Sequence, residues 1–423
     1  MAASAAADRG KTEKHRTVDT LVGALQLSLI VGCALGIIMY VFAQTFLTTI
    51  MGTTIENADV AVMEPALEYV KIRALAMPAA AILGSVQTAC LGMQDVKSPL
   101  YATILASIVN LIANIILVPA SKVATTSATW SWLTKSGAAS AAWGTVLAQY
   151  VTLFASIYWF CGSSKRTTNN PTFTRGFLAG KFAMRDFLRL PDKSVAKGFV
   201  QYFIPVTTTQ VGRCSASATL DHVVTSSMGT VNMAANQIIT SVFYGLIPLA
   251  DSLSLAAQSF VPVLAQRNNS PEKARLLMDL QRNFLKAAGL CGATLSTVMA
   301  LMPFGSRLFT SDPDVIKTII SILPIHFVIS SMHGIFCGSE GMLLGYKDLG
   351  FLSRMYGVFT LVIPYLLLRI KRAALAGSSD VSLASVWQVF LGLQITRVCL
   401  MAGRVWWLQA HSDQPLTKRK DKE

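Results

Sequence analysis

Long apolar stretches recur along the 423-residue chain and limit its fold more than any other feature of the sequence. Each is about 20 residues or longer, the length at which a helix crosses the roughly 30 Å of hydrocarbon in a bilayer. They are far longer than the strands of a membrane barrel and lack the alternation of such strands. We therefore predict an all-α polytopic membrane protein with about ten transmembrane helices. The predicted spans are residues 20–50, 67–92, 99–120, 137–161, 199–222, 228–262, 284–310, 314–346, 350–370 and 383–408.

The composition agrees with a membrane protein and excludes several soluble classes. Charged residues make up 14% of the chain, against roughly 25% in soluble globular proteins. The seven cysteines lie singly in apolar stretches, so neither a disulfide framework nor a zinc site is expected. Most of the net charge of +14 lies in polar clusters at 9–16, 165–197 and 418–422. Aromatic residues are not interleaved with these cations, so a nucleic-acid partner is not expected.

Loop charges predict the orientation in the membrane. Cations are enriched before the first span, in the long polar segment 162–198 and in the C-terminal tail, whereas the loop after the first span is acidic. Because inner loops carry the excess of Lys and Arg, both termini are expected on the inner, positive side. The cations at 369–372 are the one departure from this pattern.

The segment 162–198 is also the one long polar interruption, and it divides the spans into a group of four and a group of six. Repeated halves that flank a central cavity are typical of transporters. The predicted domains are a basic polar tail (1–18), a truncated four-helix N-lobe (19–161), a basic inner-side linker (162–198), a six-helix C-lobe (199–410) and a basic tail (411–423).

A short phrase occurs once in each of these lobes. L-G-M-Q-D (91–95) recurs as L-G-Y-K-D (344–348). The glycine of each copy is predicted to allow a tight turn between two helices on the inner side. The aspartate is predicted to cap the next helix, because a carboxylate there meets unpaired N–H groups. The predicted structural corners are Gly92, Asp95, Gly345, Asp348, Pro78 and Pro324, with the two prolines expected to kink their helices.

The span 314–346 carries a polar stripe that is the leading candidate for function. Its members follow one another at spacings of 4, 3, 4 and 3, which keeps them on one side of a helix. Ionisable groups inside a bilayer are costly, so this side is expected to face a water-filled cavity or the bundle interior. Glu340 is the leading proton or solute group, with cross-helix hydrogen bonding near the membrane edge as the structural alternative. The stripe consists of His326, Ser330, His333, Cys337 and Glu340.

The span 199–222 is rich in hydroxyl groups and is the second candidate. Thr207, Gln210, Arg213 and Ser217 again share one face of a helix. A fixed cation in the cavity would favour an anionic substrate such as a carboxylate. The structural alternative is that Arg213 pairs with a carbonyl or carboxylate of a neighbouring helix. Asp221 is expected at the membrane interface.

Six short phrases along the chain carry a family resemblance: I-R-A-L-A-M-P-A (72–79), L-G-M-Q-D (91–95), S-M-G-T (227–230), A-A-N-Q (234–237), A-A-Q-S-F-V-P (256–262) and E-G-M-L-L-G-Y-K-D-L (340–349). Together they resemble the MATE (multidrug and toxic compound extrusion) transporter family. Within it the chain is similar to the plant plastid-envelope branch that includes the salicylate exporter of disease resistance. The resemblance implies twelve helices in two six-helix lobes around a central cavity. It also implies that this chain begins at the third of those helices, and it suggests the plastid envelope as the location.

The function expected from the sequence is export of an organic solute, an anion or another xenobiotic, in exchange for H+ or Na+. No cofactor and no enzymatic activity are expected, and the absence of a G-x-x-x-x-G-K-[ST] loop argues against direct ATP drive. The expected partners are a small organic solute and the lipid bilayer, with the chain as a monomer.

Two alternatives to this function stay open. One is an inactive truncated remnant or incomplete gene model. The other is a lipid-linked oligosaccharide flippase, which would need more cations around its cavity than Arg213, the one that stands out in a helix centre.

Overall fold

The structure, a computed structural model, describes residues 2–51, 60–92, 95, 97–123, 137–161, 193–265, 271–378 and 381–410. Their backbone forms twelve α-helices and one short 3-10 helix, and no strand occurs in these ranges. The predicted linker 162–198 lies outside the described residues up to 192, and the predicted tail 411–423 lies outside them entirely. The helices are α1 (Ala2–Val41), α2 (Ala43–Met51), α3 (Val60–Ala74), α4 (Met77–Gly92), α5 (Lys97–Val123), α6 (Gly137–Cys161), α7 (Lys193–Ser227), α8 (Gly229–Ala265), α9 (Pro271–Gly305), α10 (Pro313–Gly345), α11 (Leu349–Leu375) and α12 (Leu383–Ala410).

The prediction of an all-helical membrane fold is confirmed. Seven of the described helices are long and apolar enough to cross a membrane: α1, α5 and α8 to α12. The bent pair α3 and α4 qualifies as one further span. The two remaining predicted spans correspond to α6 and α7, which fall outside that apolar set. In α7 the hydroxyl groups, together with Gln210, Arg213 and Asp221, lower the hydropathy without shortening the helix.

The second predicted span is broken near Pro78. Helix α3 ends at Ala74, α4 begins at Met77, and the two helix axes meet at 48°. Pro78 therefore lies in the first turn of α4, a position at which its missing N–H leaves no helical hydrogen bond unmade. Helix α1 packs closely on this bend, since a Cβ added to Gly32 would lie 2.7 Å from the Cα of Pro78. The close approach explains why a glycine stands at that point of α1.

The chain forms two compact units, the first of residues 1–49 and 53–201 and the second of residues 50–52 and 202–423. In the first unit, α1 packs against α3 and α4, and α6 packs against α3, α4 and α5. Leu25, Ile82 and Phe160 are among the buried side chains between these helices. Helix α5 is largely exposed along its apolar length, as expected of a helix that faces lipid.

In the second unit, α10 is the central helix and packs against α8, α9 and α12. It continues through Pro324, and its residues include Ile319, Ile322 and Leu343, which are fully buried. Its glycines allow this packing: a Cβ added to Gly341 would lie 2.5 Å from the backbone of Ser254 on α8. Small residues at such crossings let helix backbones approach, the usual way in which membrane helices associate.

The two copies of the repeated phrase share one backbone hydrogen bond. The N–H of Asp95 donates to the carbonyl of Cys90 at 2.8 Å, and the N–H of Asp348 donates to the carbonyl of Leu343 at 3.0 Å. Each bond spans five residues and closes the end of a helix as in a Schellman turn. The carboxylate of Asp95 also accepts hydrogen bonds from the N–H groups of Lys97 and Ser98, the pattern of an N-cap.

Two details of the second corner differ from the prediction. The carboxylate of Asp348 makes no capping bond and instead pairs with Arg404 of α12 at 2.7 Å. Gly345 is the last residue of α10, and a Cβ there would lie 2.8 Å from Val261, so the glycine serves packing. The left-handed turn residue is Lys347, with φ of 60°. The charge of Arg404 explains the first difference, because a cation competes with N–H groups for the carboxylate.

We expect Asp348→Asn to lower stability by about 1–2 kcal/mol, because it weakens a mostly buried ion pair and leaves Arg404 with a neutral partner. Thermal unfolding of the purified chain in detergent measures the change. Asp279→Asn, the same substitution at an exposed position of α9, serves as the control. Equal melting temperatures for the two variants would show that the Asp348–Arg404 pair contributes nothing to stability.

Candidate functional site

The second unit contains a cavity of about 680 Å³ between α7, α8, α10, α11 and α12. This volume is within the usual range of small-molecule sites, roughly 300–1,000 Å³. Most of the lining is apolar and aromatic, with a small number of charged and polar groups. The aromatic lining residues are Phe243, Tyr244, Phe336, Tyr356, Phe359, Trp387 and Phe390.

The two leading sequence candidates form an ion pair at this cavity. The guanidinium Nη1 of Arg213 on α7 lies 3.3 Å from Oε2 of Glu340 on α10. The hydroxyl of Tyr356 on α11 donates to Oε1 of the same carboxylate at 3.1 Å. Arg213 lines the cavity and its side chain is 34% exposed, whereas that of Glu340 is 5% exposed. The cation therefore faces the cavity, with its counter-charge behind it.

A close helix crossing brings Arg213 to this position. A Cβ added to Gly212 would lie 2.7 Å from the backbone oxygen of Tyr356. The missing side chain lets α7 approach α11, so that the next residue, Arg213, reaches the carboxylate that Tyr356 also binds. The pairing alternative considered for Arg213 is thus the arrangement that the structure has, with Glu340 as the partner.

The polar face of α10 points into the interior of the second unit. His326 and Ser330 are fully buried, and His333 lines the cavity. The His326 ring lies 4.1 Å from the Trp387 ring, centroid to centroid. Within the described part of the chain, both ring nitrogens of His326, the hydroxyl of Ser330 and Nδ1 of His333 have no hydrogen-bond partner. Such groups are costly in an apolar interior, so this face is an unusual feature of the core.

The polar face of α7 reaches the cavity over several turns. Gln210, Ser217 and Asp221 line it together with Arg213, and Ser217 accepts a hydrogen bond from Tyr244 at 3.3 Å. Thr207, one turn earlier, is exposed and does not belong to the lining. Asp221 is exposed, which agrees with a position toward one end of the helix.

Sequence reasoning missed three residues of this region. Arg397 and Gln394 on α12 line the cavity, so the expectation that Arg213 is the one prominent cation was wrong. Asp251 is the single acidic residue of α8, and its carboxylate accepts a weak bond from the thiol of Cys337 at 3.7 Å. The signal was present in the sequence, because an ionisable residue within an apolar span points to function by default. Among the described residues, no His, Cys, Asp and Glu cluster suits a metal ion.

Comparison with known families and curated proteins gives a consistent picture. The MatE family model matches residues 1–116. The chain is 25% identical over 411 residues to Protein DETOXIFICATION 47, chloroplastic, of Arabidopsis thaliana, covering 96% of this chain and 66% of that protein. It is 22% identical over 356 residues to Protein DETOXIFICATION 44, chloroplastic, of the same plant, covering 82% and 60%. The chain thus spans less than two thirds of the length of these relatives.

Solved structures show the same fold. A MOP superfamily transporter from Pyrococcus furiosus, described as having a binding pocket of reverse polarity, superposes with a TM-score of 0.69 at 17% identity. That match covers 95% of this chain and 80% of the other. A eukaryotic MATE transporter gives a TM-score of 0.66 at 15% identity, over 96% of this chain and 83% of the other. At these identities the likeness extends to the fold and not to the ligand.

Proposed function

We propose that the chain is a member of the MATE family and a secondary active transporter that exports an organic anion in exchange for H+ or Na+. MATE proteins are transporters and not enzymes, and the chain is a multi-pass integral membrane protein. One observation carries the choice of an anion: Arg213 opens on the cavity while Glu340, its counter-charge, is buried behind it.

The pair gives Arg213 two alternative partners. In the present arrangement its guanidinium binds the Glu340 carboxylate, and a solute carboxylate that entered the cavity would compete for the same donors. Charge-assisted bonds of this kind are about twice as strong as neutral ones, so a neutral solute competes poorly. Exchange for H+ or Na+ is the coupling that the family resemblance implies, and we propose that Glu340 takes part in it. A small organic solute and the bilayer are then the partners of the chain, which we expect to act as a monomer.

The membrane is proposed on the relatives alone. Two of the curated Arabidopsis proteins carry the word chloroplastic in their names, which supports a plastid envelope for this chain. We also propose that both termini lie on the inner, positive side, as the loop charges predict.

The proposal is tested with the purified full chain in proteoliposomes. Radiolabelled salicylate, an aromatic carboxylate, and ethidium, an organic cation, are the two probes, each measured in counterflow and under an imposed H+ or Na+ gradient. We expect salicylate exchange, and we expect Glu340→Gln to reduce gradient-driven transport at least about tenfold, since removing a buried charged partner costs about 1.5–3 kcal/mol. Asp314→Asn, an exposed acid-to-amide change on the same helix, is expected to match the unmodified protein.

Other outcomes identify the alternatives. Ethidium exchange without salicylate exchange would reject the anion and leave a cation exporter. The absence of exchange for both probes, in a chain that melts cooperatively, would reject transport by this chain and favour an inactive remnant. Arg397, the second cation at the cavity, is what a flippase-like function would need. Competition by a lipid-linked pyrophosphate, but not by salicylate, would support that function instead.

A further inference from the structure

We infer that Arg397, Gln394 and His333 form a binding site for an acceptor-rich anionic group on the α10 and α12 side of the cavity. The inference rests on the proposed function and specifies where the solute's anionic group is held. All three side chains line the cavity, and each has one buried nitrogen atom without an acceptor among the described residues. Arg397 and Gln394 lie outside the two polar faces predicted from the sequence, and the family comparison assigns a role to neither.

Two hydrogen-bond donors at Gln394 and Arg397 have no acceptor among the described residues. Its side-chain oxygen accepts a hydrogen bond from Nη2 of Arg397, so the amide nitrogen Nε2 points elsewhere. Gln394 is fully buried, and Nε2 has no partner within the described ranges. The Nε of Arg397 is likewise buried without a partner there. An unmatched buried donor is costly, so two of them on residues three apart on one helix are not expected without a compensating ligand.

His333 adds a third group from the opposite helix. It is 7% exposed, and its Nδ1 has no partner among the residues that the structure describes. The Phe243 and Phe336 rings flank its imidazole at centroid distances of 5.2 and 5.4 Å. These ring contacts fix the plane of the imidazole, but they provide no hydrogen-bond acceptor for Nδ1. A neutral imidazole that carries its proton on Nδ1 has a hydrogen-bond donor there.

The charge of Arg397 is the strongest argument. Its guanidinium carbon lies 4.3 Å from the centre of the Phe336 ring, a cation–π contact that offsets part of the cost of the buried charge. A charge inside the bilayer costs several kcal/mol, so the ring alone does not compensate it. Among the described residues, no carboxylate lies within ion-pair distance of Arg397, whereas Arg213 already has Glu340. Of these two cavity arginines, Arg397 is therefore the one whose charge has no carboxylate partner among the described residues and can bind an anion.

The surroundings define the rest of the ligand. The wall next to these donors is aromatic, with Phe243, Phe336, Trp387 and Phe390 in the lining. Flat apolar rings bind a flat apolar group, while three donors bind an acceptor such as a carboxylate or a phosphate monoester. An aromatic or similarly apolar organic anion fits both, with its head group at Arg397 and its body along the rings.

Equilibrium binding to the purified full chain in nanodiscs tests the site, with salicylate and phenyl phosphate as probes. We expect Arg397→Gln to raise the Kd for the bound probe at least about tenfold, the effect of losing one charged hydrogen bond of about 1.5–3 kcal/mol. Arg397→Lys is expected to recover part of this loss, because it restores the charge but not the planar donors. Gln394→Leu is expected to weaken binding less. Arg354→Gln, an exposed arginine of α11, is the control.

The outcomes separate this inference from the proposed function. Salicylate exchange in vesicles together with unchanged binding by Arg397→Gln would overturn the site and leave the proposed function standing. Failure of the unmodified chain to bind or exchange either probe would overturn both. Tighter binding of phenyl phosphate than of salicylate would assign the site to phosphate rather than carboxylate groups. If Arg397→Gln unfolds at a lower temperature than the unmodified chain, its weaker binding is not informative, and the Arg397→Lys variant is used instead. Binding of the probe by Arg397→Lys as tight as by the unmodified chain would overturn the role of the planar guanidinium.

Discussion

Gly334→Ala is expected to destabilise the chain by about 1–3 kcal/mol or more, because it forces a methyl group into a closed helix crossing. An added Cβ at Gly334 on α10 would lie 2.2 Å from the backbone oxygen of Ala288 on α9. The crossing is reciprocal: a Cβ at Gly292 on α9 would lie 2.1 Å from the backbone oxygen of Ser331 on α10. Backbone atoms cannot rotate away as a flexible side chain can, so the helices themselves would have to separate.

The same helix provides the control. Gly338 lies one turn after Gly334, and a Cβ there meets nothing within 4 Å. Gly338→Ala is expected to be neutral or to stabilise by about 0.5–1 kcal/mol, because alanine restricts the unfolded chain and favours helix. Thermal unfolding in one detergent, followed by tryptophan fluorescence, compares the two variants. Similar melting temperatures would show that α9 and α10 do not cross as closely as the structure has them.

The fold was predictable from the sequence because the bilayer sets the length of an apolar helix. Eight of the ten predicted spans correspond to one helix each, and the other two correspond to the pairs α1 with α2 and α3 with α4. Where a span breaks was harder to predict. The predicted span 20–50 is divided at Phe42 between α1 and α2, and no proline or glycine marks that point. The break leaves no sequence signal because apolar residues continue on both sides of it.

The candidate site was predictable in part, for a similar reason. Helical periodicity placed His326, His333 and Glu340 on one face of α10, and that face does point inward. The partner of Glu340 could not be derived, because Arg213 lies 127 residues away and only tertiary packing joins them. Arg397 was missed for a different reason. The span was interpreted as apolar, although Gln394, Arg397 and Arg404 follow one another in it at spacings of 3 and 7 residues.

The repeated corner shows the limit of a sequence signature. The two copies share one backbone hydrogen bond, since the bond that spans five residues depends on local conformation alone. The two aspartates differ because their partners come from elsewhere. Asp95 has nearby N–H groups of α5, whereas Asp348 lies beside Arg404, which belongs to a helix much later in the chain. The similar sequence therefore predicted the shared backbone hydrogen bond but not the contacts of the aspartate side chains.

Arg213→Gln is expected to destabilise the chain more than Glu340→Gln does. The first variant leaves the Glu340 carboxylate, 5% exposed, without a cation, and breaking a buried pair in this way costs about 3–5 kcal/mol. The second leaves Arg213, whose side chain is 34% exposed to the cavity, where solvent screens the remaining charge. We expect that loss to be about 1–2 kcal/mol, since the exposed partner keeps most of its hydration.

The double variant isolates the pair from its surroundings. With both charges removed, neither is left uncompensated, so the loss is expected to be smaller than the sum of the single losses by about 1–3 kcal/mol. Chemical unfolding of the four proteins in the same mixed micelles gives the coupling free energy. Additive losses would mean that the 3.3 Å contact stores no interaction energy and that Arg213 is balanced by another group. A positive coupling together with the larger loss for Arg213→Gln would establish that the cation faces the cavity while its carboxylate stays buried, the arrangement on which exchange of an anion depends.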